Sequence, residues 1–442
     1  MTEIRRPRVI VIGAGFAGLS AARELAGKYV DVLLIDRNNY HLFTPLLYQV
    51  ATCGLDASDI AYPIRRIFRG QSNVQFRLGE VTHIDHEQQT VTIHENDTMH
   101  EEQYDYLVVA AGRISNFFDN PSIEQFSFGM QTLNEALILR NHILRLFEKA
   151  SWIEDESERR ALTTMVVVGG GPTGLETAGA LYELYNYVLK TEYSKLENIE
   201  TRVILLEAMD DLLLSYPENL RESARNQLAS LGVEVMLNSK VESVSENEVT
   251  LEDGRTIQTH TLIWAAGIQA SPLAQMLDVP LERGGRIPIT PQCEVIGRPN
   301  IFAGGDLTYL LNPADDNPYP QLIPVASQMG RLIARNIQHR TAGEALESFK
   351  YNDRGVMATI GRRRAVAWVF YRLQVTGRLA WFAWLTLHLL WLMGFRNRIS
   401  VFINWVWNYI NYDHSVRIML NDLRLDPTAE AEVPAKESVQ VR

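Results

Sequence analysis

Six glycines, in two sets of three, carry the first chemistry legible in this chain. Gly13, Gly15 and Gly18 follow the apolar run VIVI and open the stretch FAGLSAARELA. Gly169, Gly171 and Gly174 follow VVV and open PTGLETAGALYEL. In each set the first glycine allows a tight turn, the second lets backbone approach a pyrophosphate, and the third lets a helix pack closely on a strand. The helix start, with Phe16 and Ala17 in one copy and Pro172 and Thr173 in the other, offers unpaired N–H groups to phosphate. Glycine turns between strand and helix are common. Here each is followed by a strand ending in an acid: VDVLLID ends in Asp36, beside Arg37, and TRVILLE ends in Glu207. A carboxylate there can bond the ribose hydroxyls of an adenosine.

Elements that would position these groups repeat as well. YDYLVVAAGR (with Ala111 and Gly112) and HTLIWAAGI (with Ala266 and Gly267) read as the late strand of each unit. RPNIFAGGDLTYL places Asp306 after a short strand and a glycine pair, and resembles the second FAD motif of flavoproteins with two dinucleotide sites. Over residues 5–340 the chain resembles the glutathione-reductase-like flavoproteins. That implies an α/β protein with two Rossmann-like dinucleotide-binding domains, the second inserted in the first. The expected divisions are an FAD-binding domain at 1–118 and 294–345, an NADH-binding domain at 119–293, a C-terminal region at 346–425, and a disordered tail at 426–442. The longer gap before Glu207 is expected to be a crossover extended by residues 187–200.

Composition agrees: 442 residues suggest two to three domains, and 46% apolar with 21% charged residues is ample for large cores. A net charge of −11 argues against nucleic acid as a partner. No metal site is expected. No apolar signal region precedes Val9, so the catalytic units are expected on the cytoplasmic side. The two cysteines, Cys53 and Cys293, form no C-x-x-C or C-x-x-x-x-C. A redox disulfide beside the flavin is therefore excluded, and with it glutathione reductase, lipoamide dehydrogenase and thioredoxin reductase; sulfide:quinone reductases need a cysteine pair or trio that is missing. Cys53 alone keeps a single-cysteine NADH oxidase or peroxidase as an alternative, against a small packed residue.

The loop NYHLFTPLLYQVATCGL closely resembles one that packs against the isoalloxazine ring in type II NADH:quinone oxidoreductases; an ordinary buried loop is the plainer account. From residue 354 to 412 there is no Asp or Glu, while six of the eight Trp fall there. Residues 379–395 are apolar except for Thr386 and His388. A helix of that length spans ~25 Å, marginal for a ~30 Å hydrocarbon core. Its Trp are spread along its length. The segment is expected to lie in the membrane interface, with Arg378, Arg396 and Arg398 toward lipid phosphate; a buried hairpin is the alternative. GRRRAVA and GFRNR match the family's C-terminal pattern, so the resemblance runs from residue 1 to about 425.

The resemblance implies a peripheral flavoenzyme on the cytoplasmic side of the cell membrane. It would oxidise NADH through FAD and reduce a membrane quinone by two electrons, without proton pumping, as a homodimer. A membrane-bound redox-responsive binding protein with negligible turnover is the reading from another class. FAD would be held by the first glycine set with Phe16, Ala17, Asp36 and Arg37, and by Thr44, Pro45, Leu46, Val81, Ala111, Gly112, Asp306, Val325 and Ala326. NADH would be held by the second set with Pro172, Thr173, Glu176, Glu207, Ala266 and Gly267. Quinone would meet Leu47, Gln49, Ile323, Pro324 and Gln328. Many members carry an Ala-Gln pair where this chain has Ile323-Pro324, so that Gln is absent; proline has no side-chain donor. Glu176 stands two residues past the third glycine, where the first copy has Ser20, so the fold does not demand an acid. A helix-dipole contact is the plain reading; the family assigns this Glu a functional role, and it is the expected catalytic acid.

Overall fold

The computed structural model describes residues 5–95, 98–193, 196, 201–411 and 416–419. The tail expected at 426–442 lies outside them. The first glycine turn links strand Arg8–Ile12 to helix α1 (Phe16–Leu25). That strand is fully parallel and central. Asp31–Asp36 and then Val74–Leu78 lie on one side, and Tyr106–Val109 and then Ile301–Ala303 on the other. The buried run ValIleValIle suits a strand covered on both faces.

The second turn links Thr164–Val168 to α2 (Pro172–Glu183). Its sheet repeats the order, with Arg202–Leu206 and Glu234–Met236 on one side and Thr261–Trp264 on the other, all parallel. A π-helical stretch, Leu184–Leu189, prolongs α2 and lengthens the crossover. Each half also carries a three-stranded antiparallel sheet, Glu80–Asp85 with Thr90–Glu95 and Thr98–Gln103, and Val241–Val244 with Glu248–Leu251 and Thr256–Gln258. The two passages between the halves, Arg113–Ser115 and Ile268–Ala270, pair antiparallel with each other. Leu273, Ala274, Leu277, Ile287 and Cys293 then pack in the core of the first sheet.

Helix α3 (Ile323–Ala342) lies on α1, where Gly330 leaves no room for a Cβ against the Ala17 carbonyl. The region after residue 346 is not helical throughout. Gly355–Gly361, Arg364–Val369 and Leu373–Thr376 form an antiparallel sheet seated on α2. Gly179 of α2 makes that seat possible, since a Cβ there would collide with the Ile360 carbonyl. Helices α4 (Gly377–Trp391) and α5 (Phe395–Asn411) follow. The break between them ends the helix expected across 379–395, and Gly394 there has φ +84° and abuts the Tyr62 ring. Among the described residues no helix is long and apolar enough to cross a membrane.

Candidate functional site

The two glycine turns are built alike. Gly13 and Gly169 have φ of +96° and +115°, and a Cβ on either would press on the carbonyl of Ala110 or Ala265, at the end of the late strand. A Cβ on Gly18 or Gly174 would collide with the first glycine's carbonyl, whereas one on Gly15 or Gly171 would meet nothing within 4 Å. Open space beside the second glycine, at the start of a helix with free N–H groups, fits a pyrophosphate. The acids are placed alike too. Asp36 accepts from the N–H groups of Ala14 and Asn38, both at 2.7 Å. Glu207 accepts from Gly170 at 2.5 Å and Met209 at 2.8 Å. Each acid therefore grips the residue after the first glycine and the residue two places beyond itself. Burial pushes the Asp36 carboxyl up, against those bonds.

Around the first cradle, Ala17, Ala110 and Ala326 cluster under Phe16. Ala111 and Gly112 follow the late strand, as Ala266 and Gly267 do in the second half, and both glycines have positive φ. Val325 and Ala326 are buried at the start of α3, and Val81 is a core residue of the first half; the Arg37 side chain is exposed. Asp306 lies 3.2 Å from the Arg113 guanidinium; burial pushes its carboxyl up and Arg113 opposes this. Arg113, which sequence reasoning missed, also donates to Gln131 at 3.1 Å. Thr44–Leu46 make one 3₁₀ turn, followed by helix Leu47–Ala51. His41 donates from Nδ1 to the Ala14 carbonyl at 2.8 Å, tying this loop to the glycine turn.

Glu176 of α2 is where the halves and the C-terminal region meet. Its Oε1 accepts from the Thr359 N–H at 3.3 Å. Trp384 lies beside the carboxyl and stabilises its charge, although the indole N–H completes no hydrogen bond of normal geometry. The residue keeps some accessibility, but enclosure of the carboxyl pushes it up to about 8, against the Thr359 and Trp384 contacts. Burial, and then the Glu176 charge, raise the hydroxyls of Tyr48 and Tyr216. Seven residues on, Glu183 accepts from the Arg362 N–H at 2.6 Å and is pushed up to about 7 by burial.

The expected quinone residues divide. Gln49 donates to the Tyr48 hydroxyl at 2.9 Å and accepts from the Trp405 indole at 2.8 Å, so it joins the Glu176 neighbourhood to α5. Leu47 is packed in the core, and Ile323 and Pro324 open α3 half-buried. Gln328 is turned elsewhere. Its amide both donates to and accepts from the Asn352 backbone, at 3.2 and 2.9 Å. Thr359, Trp384, His388 and Trp405 were missed because their neighbours are remote in sequence. One signal was present: Trp384 and His388 are one turn apart, with His388 nearly alone as a polar group in an apolar run.

Cys53 is fully buried, and burial pushes its thiol up to about 12, which disfavours the thiolate an oxidase or peroxidase step would use. Among the described residues no His, Cys, Asp or Glu group could hold a metal ion. Two surface hollows, at Asn219 to Ser230 and at Arg65 to Phe76, lie apart from these residues.

The paired cradles define a two-dinucleotide flavoprotein. The family model for pyridine nucleotide-disulphide oxidoreductases matches residues 7–330. Two type II NADH:quinone oxidoreductases of Mycobacterium tuberculosis are similar throughout. Ndh is 38% identical over 92% of this chain and 89% of its own, and NdhA 41% over 90% and 86%. The solved structure of NDH2 from Plasmodium falciparum in complex with NADH shares the fold, with a TM-score of 0.86 over 94% of this chain and 100% of that one, at 20% identity. The chain belongs to the type II NADH:quinone oxidoreductases. It is an oxidoreductase that carries electrons from NADH through FAD to a quinone.

Proposed function

We propose that FAD occupies the first cradle and NADH the second, and that quinone is reduced where Thr44–Leu47 and Gln49 approach Glu176. The observation that carries this reading is the meeting, at Glu176, of the nicotinamide-side helix, the helix Leu47–Ala51 and the C-terminal sheet and helix. Gly13, Gly15, Gly18, Asp36, Asp306 and the start of α3 would hold FAD; Gly169, Gly171, Gly174 and Glu207 would hold NADH. Bound FAD supplies two-electron transfer between nicotinamide and quinone. Glu176, protonated at neutral pH, holds a proton that can pass to a quinone oxygen, and Thr359 fixes its carboxyl. Glu207 favours NADH, because a carboxylate repels the 2′-phosphate of NADPH.

The quinone would arrive from a lipid surface. Leu379, Phe382 and Leu390 of α4 and Phe395, Ile399, Phe402, Ile403, Val406 and Ile410 of α5 are exposed, each set along one stripe. The opposite stripe of α5 is polar and faces the protein. Asn397 donates to the carbonyls of Ser58 and Asp59 at 2.8 and 3.0 Å, and Ser400 and Asn404 donate to the Asp59 carboxylate at 2.6 and 3.1 Å. Such a helix lies in an interface with apolar residues toward lipid. It supports peripheral attachment; the cytoplasmic face is the proposed side because NADH is available there. Homodimerisation rests on the family resemblance. Steady-state kinetics with NADH and NADPH, with and without quinone, test the reading; comparable efficiency with NADPH, or turnover that quinone does not stimulate, would overturn it.

A further inference from the structure

We propose that His388 is a quinone-site residue whose Nε2 accepts a hydrogen bond from a hydroxyl of the reduced product, the hydroquinone. This rests on the quinone reading above and supplies a polar group of a kind that Pro324, with no side-chain donor or acceptor, cannot.

The ring is fixed on three sides. Nδ1 lies 2.7 Å from the Trp384 carbonyl oxygen. A carbonyl only accepts, so Nδ1 carries the proton and the neutral ring presents a lone pair at Nε2. The imidazole stacks on the Trp384 indole, with centroids 3.9 Å apart and planes at 21°. It meets the Phe43 ring edge-on at 6.1 Å. Phe43 immediately precedes Thr44 and itself meets Phe16, the first residue of α1, at 6.1 Å. Trp384 lies beside Glu176. His388 is thus held between the flavin-side loop and the surroundings of the acid. Nε2 makes no hydrogen bond among the described residues, and the residue keeps partial access. Burial lowers the ring to about 4, so it stays neutral in ordinary use.

An acceptor at this place distinguishes the two redox states of the ligand. Quinone carbonyls only accept, so Nε2 gives them nothing. Each hydroquinone hydroxyl can donate. Glu176, protonated at neutral pH, is the complementary donor for an oxygen still unprotonated. The pair therefore favours the state in which O–H bonds have formed, and interactions gained only as the reaction proceeds are those that accelerate it.

The test is anaerobic calorimetry of a short-chain quinone and of its hydroquinone with the flavin-loaded protein and with His388→Phe, which keeps a ring to stack on Trp384. Loss of one hydrogen bond should weaken hydroquinone binding roughly three- to tenfold, with quinone binding within about twofold. His388→Gln, whose amide oxygen accepts, should recover much of the loss. Equal weakening of both ligands, or of neither, overturns the assignment. If His388→Phe does not retain flavin, His388→Leu is judged by the same outcomes. Gln49→Ala and Glu176→Gln are titrated alongside. If they change binding and the His388 variants do not, the His388 assignment falls and the quinone reading stands. If none changes binding of either ligand, both fall and the quinone binds elsewhere.

Discussion

Thr359 donates its backbone N–H to Glu176 at 3.3 Å across 183 positions of sequence. The contact ties the helix of the second glycine turn to a sheet from the other end of the chain. It makes the acid's ionisation depend on how the C-terminal region is seated. Burial holds the Glu176 carboxyl at about 8 against an ordinary 4.5. A raised carboxyl is protonated at neutral pH and loses its proton as pH rises through about 8. Quinone turnover should therefore fall over that range. Glu176→Gln should remove this alkaline limb and lower turnover about tenfold or more, within the range for positioned acid–base groups. Stability carries the same sign. The folded protein loses stability between about pH 4.5 and 8, where the unfolded chain has ionised and the buried acid has not. Glu176→Gln should make that slope shallower in urea titrations, with the part due to Glu183, raised to about 7, remaining. Wild-type rates at every pH with an unchanged slope would show that the acid has no such role.

Asp36 and Glu207 make the same pair of backbone contacts in the two halves, so truncating each should act on one nucleotide only. Asp36→Ala should lower retained FAD, read from the absorbance ratio of the purified protein. Glu207→Ala should keep FAD and raise KM for NADH about tenfold, with less discrimination against NADPH. Loss of FAD from Glu207→Ala would show that the second cradle does not stand alone.

The polar stripe of α5 predicts how attachment can be uncoupled from folding. Removing residues after Thr376 leaves the antiparallel sheet over Glu176 in place, whereas cutting at residue 354 strips it away. The longer truncate should keep FAD but melt lower, because Trp384, Leu392 and Val401 leave the core with α4 and α5, and it should no longer sediment with liposomes. Because His388 and Trp405 leave with α4 and α5, turnover with short quinones should fall too, and with long-tailed ones further. Continued sedimentation would move the lipid contact away from α4 and α5.

What was legible in the sequence was local. Glycine spacing, the acid closing the next strand and the late-strand rhyme all act within one supersecondary unit, and the family pattern rests on them. The C-terminal region was legible only as composition. Its Trp and missing acids pointed to an interface, but VMATIG and RAVAWV form strands because α2, through Gly179, offers them a surface to pack on. The six tryptophans there also divide by tertiary contact. Trp384 is buried and Trp405 is bound to Gln49, whereas Trp391 and Trp407 are exposed. Gln328 illustrates the converse: a motif position fixes where a residue stands on a helix, and Asn352 decides where its amide goes.

Cys53 offers a test of the alternative chemistry. Its thiol is fully buried and held protonated, with burial as the cause. Cys53→Ala should leave NADH:quinone turnover within about twofold while lowering stability by roughly 1 kcal/mol, the order expected for deleting one small buried group. A tenfold loss of turnover in a protein of unchanged melting temperature would return the thiol to the chemistry.

Gly171 and Gly179 stand two turns apart on one helix and should fail in opposite ways. A methyl group on Gly171 meets nothing within 4 Å, whereas one on Gly179 collides with the Ile360 carbonyl. Gly171→Ala should therefore fold normally but intrude on the space where a pyrophosphate would approach. KM for NADH should rise about tenfold with FAD content and melting temperature unchanged. Gly179→Ala should push the antiparallel sheet off α2 and cost about 1–3 kcal/mol, the usual range for overpacking. It should also disturb Glu176 through Thr359, lowering quinone turnover while NADH binding, measured by calorimetry, stays near wild type. If Gly171→Ala lowers the melting temperature as much as Gly179→Ala and binds NADH normally, the open space beside the second glycine is not a nucleotide cradle.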